Sequence, residues 1–165
     1  TIRSLKGRLN NFTIGLCGDL KFGRTVHSLI KALTRYENIN FVFISPEELR
    51  VPDYILEMLK EKQIPFQEVI RLEDVMPELD LLYMTRVQKE RFSDLMEYER
   101  VKNVYTLCAS MLENTRPNMK VLHPLPRVGE IANDVDDTPQ AYYFQQAKNG
   151  MYARQAVICD ALGLI

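Results

Sequence analysis

The sequence predicts an α/β fold, a three-layer α/β/α sandwich built around a mostly parallel sheet. Two observations carry that prediction. Short apolar runs alternate with segments of helical periodicity along the whole chain, the pattern of parallel strands joined by crossover helices and covered on both faces. The three richest polar segments each follow directly on an apolar run, where open parallel sheets keep their ligand sites.

The elements follow in order. Phe12 to Cys17 reads as a buried strand, followed by a glycine-bounded turn and a helix from about Arg24 to Tyr36. Asn40 to Ile44 is a second strand, ended by Ser45-Pro46. Pro52 to Gln63 has helical spacing, with Ile55, Leu56 and Leu59 on one face. Phe66 to Ile70 alternates as a half-exposed edge strand does. Asp80 to Met84 and Met119 to Leu122 supply further strands, with helical stretches near 88–101 and 108–114 between them. Thr138 reads as an N-cap with Pro139 at the first helical position, opening a helix that continues to about Leu162 with an interruption near Asn149-Gly150.

Composition sets the outer limits. A chain of 165 residues fits one domain with a real core, and 46% hydrophobic with 26% charged residues is an ordinary globular balance. A formal net charge of -1 gives no field for nucleic acid or an anionic membrane. No apolar stretch is long enough to span a bilayer, and no signal-peptide pattern is visible. Cys17, Cys108 and Cys159 are far apart among apolar neighbours, which fits buried reduced thiols in a cytoplasmic protein and neither a disulfide frame nor a zinc site. The chain opens on Thr1-Ile2-Arg3, as a processed product or a piece of something longer would.

The first polar segment, Gly18 to Thr25, has glycine spacing close to that of a phosphate-binding loop, with Arg24 where that motif needs lysine. Asp19 puts negative charge in such a cradle, and the bulky Leu20 and Phe22 keep backbone amides from converging, so the nucleotide reading is disfavoured. Arg24, on the first turn of a helix, faces the anion site there. In the second segment, Arg86 and Glu90 stand four residues apart, so the carboxylate can brace the guanidinium, and Gln88 offers amide donors beside it. A braced arginine plus an amide suits a carboxylate, because the planar fork binds both oxygens. A plain charged helix face is the alternative.

The third segment is His123-Pro124-Leu125-Pro126-Arg127. Each proline fixes its own φ and pushes the residue before it, His123 or Leu125, toward extended geometry. The loop is missing the amide hydrogens of its two prolines but keeps its carbonyls, and a rigid row of acceptors suits an amine or amide. His27 and His123 have no serine or cysteine partner in evidence, which argues against a nucleophilic triad. Asp134, Asp136 and Asp137 form an acidic loop without an EF-hand pattern.

Taken with Tyr143-Phe144-Gln145-Gln146-Ala147, these segments resemble the aspartate carbamoyltransferase (aspartate transcarbamoylase) family of catalytic chains. The match runs the length of the chain and resembles only the carboxyl-terminal, aspartate-binding half, so residues 1–165 are expected to be that one domain, with a Rossmann-like fold of the transcarbamoylase type. The amino-terminal half, with its Ser-Thr-Arg-Thr phosphate loop, is not among these residues. Phe22 stands where tyrosine is common in the family.

The resemblance implies a site. Arg24 would hold the α-carboxylate of L-aspartate, and Arg86, helped by Gln88, the β-carboxylate. The carbonyls of Pro124, Leu125 and Pro126 would accept from the amino group of carbamoyl phosphate and guide the attacking amine. Glu90 and Arg91 would serve closure between the two halves, and Lys21 and Glu97 contacts between subunits. Met151, Ala153, Val157 and Ile158 would pack on the amino-terminal half. No metal or organic cofactor is implied; the partners are L-aspartate, carbamoyl phosphate, that other half, a homotrimer and regulatory chains where present. Without the other half the chain is expected not to turn over. An ornithine-type enzyme is the nearest alternative, but an arginine at position 86 has the wrong sign for a cationic side chain, and that family usually has cysteine where Pro124 stands. A non-catalytic assembly module is the other.

Overall fold

The computed structural model describes residues 1–92 and 94–164. Five parallel strands form one sheet: β1 (Phe12–Cys17), β2 (Ile39–Ile44), β3 (Phe66–Val69), β4 (Leu81–Met84) and β5 (Lys120–Leu122), in the order β3-β2-β1-β4-β5. The register runs Ile14 beside Phe41 on one side and beside Leu81 on the other, so β1 is the central strand. All of β4 and all but one residue of β1 and of β2 are buried, as expected for strands covered on both faces. At the edge, β3 exposes the adjacent Gln67 and Glu68 while Phe66 and Val69 are half-buried, so the strand is half-exposed as expected but its burial does not alternate residue by residue.

The helices are α1 (Ile2–Lys6), α2 (Arg24–Leu33), α3 (Asp53–Glu61), α4 (Leu95–Val101) and α5 (Tyr143–Ala161). Val26, Ile30 and Leu33 of α2 and Ile55, Leu56 and Leu59 of α3 recur at helical spacing and are buried. With Ile2 of α1 they pack on Ile14, Leu16, Phe41, Phe43, Leu81 and Tyr83 to form the core on one face of the sheet. The core of the other face gathers Val42, Ile44, Leu82, Met84 and Val121 under Met76, Leu112, Val135 and Tyr143. That second layer is built from 3₁₀ turns at Met76–Glu78, Ala109–Leu112 and Asn133–Val135 and the start of α5.

Several local expectations need correction. The 88–101 stretch divides into a 3₁₀ turn at Lys89–Arg91 and α4, whose N-cap Asp94 accepts from the Met96 amide at 2.8 Å; the expected single helix crosses Ser93, outside the described residues. The 108–114 stretch is only the 3₁₀ turn, and α2 stops at Leu33. Thr138 does not cap a helix. Its hydroxyl donates to the Val135 carbonyl at 2.7 Å, and the chain then pairs with β5: the Val121 amide donates to Gln140 and the Tyr142 amide to Val121. Backbone committed to the sheet edge cannot be helical, so α5 starts only at Tyr143. It runs through Gly150 without a break. Of its residues only Tyr143 is buried; Phe144, Met151, Tyr152, Val157 and Ile158 are exposed. No helix among the described residues is long and apolar enough to cross a membrane.

Candidate active site

The chain leaves β1 toward β2 on one side, while β4 joins β1 on the other. The carboxyl ends of β1 and β4 therefore flank the point where strand order reverses, the place where open α/β sheets bind ligands. A cleft of about 220 Å³ lies there, below the roughly 300–1,000 Å³ of pockets for drug-sized ligands. Its walls are the three polar segments: Phe22 to Thr25 after β1; Arg86, Gln88 and Arg91 after β4; and His123 to Pro126 after β5.

Backbone geometry fixes the spacing of these walls. The Thr85 hydroxyl donates to the Cys17 carbonyl and accepts from the Asp19 amide, both at 2.9 Å, stitching β1 to β4 where they end. Gly18 has φ 110°, and a Cβ there would lie 2.4 Å from the Thr85 carbonyl oxygen. A Cβ on Gly23 would lie 2.4 Å from the Asp19 carbonyl oxygen. The glycines that imitate a phosphate loop thus serve close backbone approach, which accounts for their spacing without a nucleotide.

The electrostatics are set by arginines over one buried acid. Arg24 is the first residue of α2 and is exposed at the cleft mouth. Arg86 is half-buried, and its Nη2 lies 3.3 Å from Glu90 Oε1, so the brace expected from their spacing forms, although on irregular chain and a 3₁₀ turn. Arg91 Nε donates to Gln88 Oε1 at 3.3 Å, a contact that uses the Gln88 oxygen and not its amide hydrogens. Asp19 is 1% exposed. Burial raises its pKa, opposed by the Phe22 and Lys21 amides and by Arg91.

The proline loop departs from expectation at Leu125. It takes φ 48°, in the left-handed region and not the extended one, and the Leu125–Pro126 peptide is cis. The cause is local: the Leu125 amide turns back to donate to His123 Nδ1 at 2.8 Å. Among the described residues no donor is bonded to the carbonyls of Pro124, Leu125 or Pro126, so the acceptor row is open. Gln146 of α5 accepts from the His123 amide at 2.8 Å, tying the helix to the end of β5.

Of the residues picked out in the sequence, Arg24, Arg86, Gln88, Arg91, Pro124, Leu125 and Pro126 line one cleft, and Glu90 reaches it through Arg86. Lys21 and Glu97 do not line it; Lys21 lies over the Phe22 ring, 5.2 Å from its centroid, and Glu97 sits on the first turn of α4. His27 is held outside by the Leu20 carbonyl at 2.8 Å and the Tyr54 hydroxyl at 3.0 Å. Two carboxylates of the acidic loop are occupied internally: Asp136 pairs with Arg127, and Asp134 accepts from the Ala109 amide. Among the described residues no cluster of three or more metal-binding side chains occurs. Cys17 is buried, but Cys108 and Cys159 are only half-buried, unlike the three buried thiols expected; all are free. Sequence reasoning missed Thr85 and Glu130, since neither stands in a spacing that marks it.

Fold and cleft together define an α/β domain with an arginine-lined cleft at a topological switch point. The chain belongs to the family described as aspartate/ornithine carbamoyltransferase, Asp/Orn binding domain, whose model matches residues 10–160. It is 60% identical over 164 residues to an aspartate carbamoyltransferase catalytic subunit from Clostridium novyi, covering 99% of this chain and 54% of the relative. A catalytic subunit from Bacteroides fragilis is also 60% identical, over 165 residues, with 99% and 53% covered. Among solved structures, the catalytic subunit of M. jannaschii aspartate transcarbamoylase superposes with a TM-score of 0.88 at 48% identity, covering 95% of this chain and 52% of that one. The Trypanosoma cruzi enzyme in complex with carbamoyl phosphate and aspartate gives 0.88 at 37% identity, with 95% and 52% covered. The chain thus spans about half the length of the relatives it matches.

Proposed function

We propose that this chain is the L-aspartate-binding half of an aspartate carbamoyltransferase, the enzyme that transfers the carbamoyl group of carbamoyl phosphate to the amine of L-aspartate in pyrimidine biosynthesis. The observation that carries the reading is the convergence of Arg24, Arg86 with Gln88, and an open carbonyl row in one cleft. L-aspartate has two carboxylates and one amine, and the cleft offers two guanidinium sites and a set of acceptors. Arg24 takes the α-carboxylate, Arg86 and Gln88 the β-carboxylate, and the carbonyls of Pro124, Leu125 and Pro126 the reacting amines. The neutral amine attacks the carbamoyl carbon and phosphate leaves. These residues contribute orientation, holding the nucleophile in line with its target.

The remaining groups of the site belong to an amino-terminal carbamoyl-phosphate domain. Glu90 and Arg91 act in closure of the two halves, which excludes water, and Lys21 and Glu97 in subunit contacts of a homotrimer, with regulatory chains where they occur. The exposed apolar residues of α5 support a cover from that other domain. Free cysteines support a cytoplasmic setting.

Calorimetric titration with L-aspartate and L-ornithine tests the reading. L-aspartate is expected to bind and L-ornithine not, because Arg86 repels a cationic side chain, and Arg86→Ala is expected to abolish binding. Equal or preferred binding of L-ornithine points to the ornithine-type reading. Binding of neither, with no sensitivity to Arg86→Ala, points to an assembly module. The chain alone is expected to show no carbamoyl transfer.

A further inference from the structure

A buried acid–base pair lies under the carbonyl row, and nothing proposed above uses it. His123 is 1% exposed and Glu130 9%. The Leu125 amide can only donate, so the ring nitrogen it reaches, Nδ1, carries no proton. Nε2 therefore holds the hydrogen and donates it to Glu130 Oε1 at 2.8 Å. The second carboxylate oxygen, Oε2, accepts from the Val128 amide at 3.1 Å and the Gly129 amide at 3.0 Å. One carboxylate thus holds the outgoing end of the loop directly and its apex through the imidazole. The apex needs holding: Leu125 sits at φ 48°, which a residue with a Cβ adopts seldom. Its amide makes no other hydrogen bond among the described residues.

We infer that His123 and Glu130 are positioning residues that hold Leu125 in its left-handed conformation and so aim the carbonyls of residues 124–126 into the cleft. The consequence for ligands rests on the proposed function: the pair sets recognition of the amine, while the arginines set recognition of the carboxylates. A defect in the pair then weakens L-aspartate and spares succinate, the same dicarboxylate without the amine. A merely structural role weakens both alike.

The test uses two histidine variants that keep opposite halves of the contact. In His123→Asn the side-chain oxygen replaces Nδ1 and still accepts from Leu125. In His123→Gln the side-chain amide replaces Nε2 and still donates to Glu130. Glu130→Gln is the third variant, and it puts an amide donor among donors. Each is titrated with L-aspartate and with succinate, and amide hydrogen exchange of Leu125 is followed by NMR. His123→Gln and Glu130→Gln are expected to lose about tenfold in affinity for L-aspartate, the worth of one hydrogen bond to a charged group. Succinate affinity should stay within about twofold, and Leu125 exchange should quicken at least tenfold. His123→Asn should retain most of the L-aspartate affinity and slow exchange at Leu125. Parallel losses for both ligands, or equal behaviour of the Asn and Gln variants, overturn the inference. If the unaltered chain binds neither ligand, the functional reading fails by itself. The exchange arm still decides the pair: faster exchange in His123→Gln than in His123→Asn supports it, and equal rates overturn it.

Discussion

Replacing Thr85 by valine tests the stitch that sets the two arginine-bearing walls apart. The two side chains have nearly the same shape, so the change removes a hydroxyl and leaves packing almost intact. Cys17 O keeps a partner, because the Thr85 amide also donates to it, at 2.8 Å. The Asp19 amide does not. Thr85 Oγ1 is its hydrogen-bond acceptor at 2.9 Å, and Asp19 is 1% exposed, so water cannot substitute. An orphaned buried donor costs about 1–3 kcal/mol. Thr85→Ser keeps both hydrogen bonds and loses one methyl, about 1 kcal/mol. Urea unfolding of the three proteins gives the order directly: Thr85 most stable, Ser next, Val last. Hydrophobic burial alone predicts the reverse order for the two variants. A valine variant as stable as the parent, with serine below it, would refute the stitch, and with it the claim that this seam fixes the cleft.

Four further outcomes follow from the same geometry. Glu130 has its pKa lowered to about 2 from 4.5; burial opposes the shift, but the His123 hydrogen bond and three backbone amides outweigh it. A folded-state value below the unfolded one stabilises the fold above pH 4.5 and loses that stabilisation as pH falls toward 2. At 1.36 kcal/mol per pH unit the whole effect is about 3 kcal/mol. Denaturant midpoints recorded between pH 7 and 2.5 should fall over that window in the parent and much less in Glu130→Gln. Gly18→Ala forces a Cβ to 2.4 Å from the Thr85 oxygen at a φ of 110°, so thermal melts should show a loss of more than about 2 kcal/mol. Arg86→Lys, which keeps charge but not the planar fork, should weaken L-aspartate at least tenfold by calorimetry. Glu90→Gln removes only a partly exposed brace, with Glu90 60% exposed, and should weaken it less than about fivefold.

The parts legible in the sequence are those whose signal is local. Apolar runs located β1, β2, β4 and β5, and the mixed apolar and polar run from Phe66 to Ile70 marked the half-exposed edge strand β3. Polar segments after β1, β4 and β5 pointed to one cleft because a parallel sheet brings its strand ends together. What stayed hidden depends on particular hydrogen bonds that residue type and spacing do not encode. Thr138 and Pro139 have the residue types of a helix start, yet pairing of 140–142 with Val121 claims that backbone first. The prolines argued for extended geometry at Leu125, yet a side chain two residues earlier holds it left-handed. Glu130 shows no motif; its role is visible only when the loop folds back on the His123 ring.

The central claim is that one ligand is held between the ends of β1, β4 and β5. Titration of the isotope-labelled chain with L-aspartate, followed by ¹H–¹⁵N correlation spectra, tests it most directly. The account predicts that the amides displaced on binding fall within 19–25, 85–91 and 123–130, with α3 silent, and silent too a second groove beside β3, lined by Asn40, Pro65, Phe66 and Gln67. Displacements centred on that groove, spread along α5, or confined to only one of the three segments would contradict it.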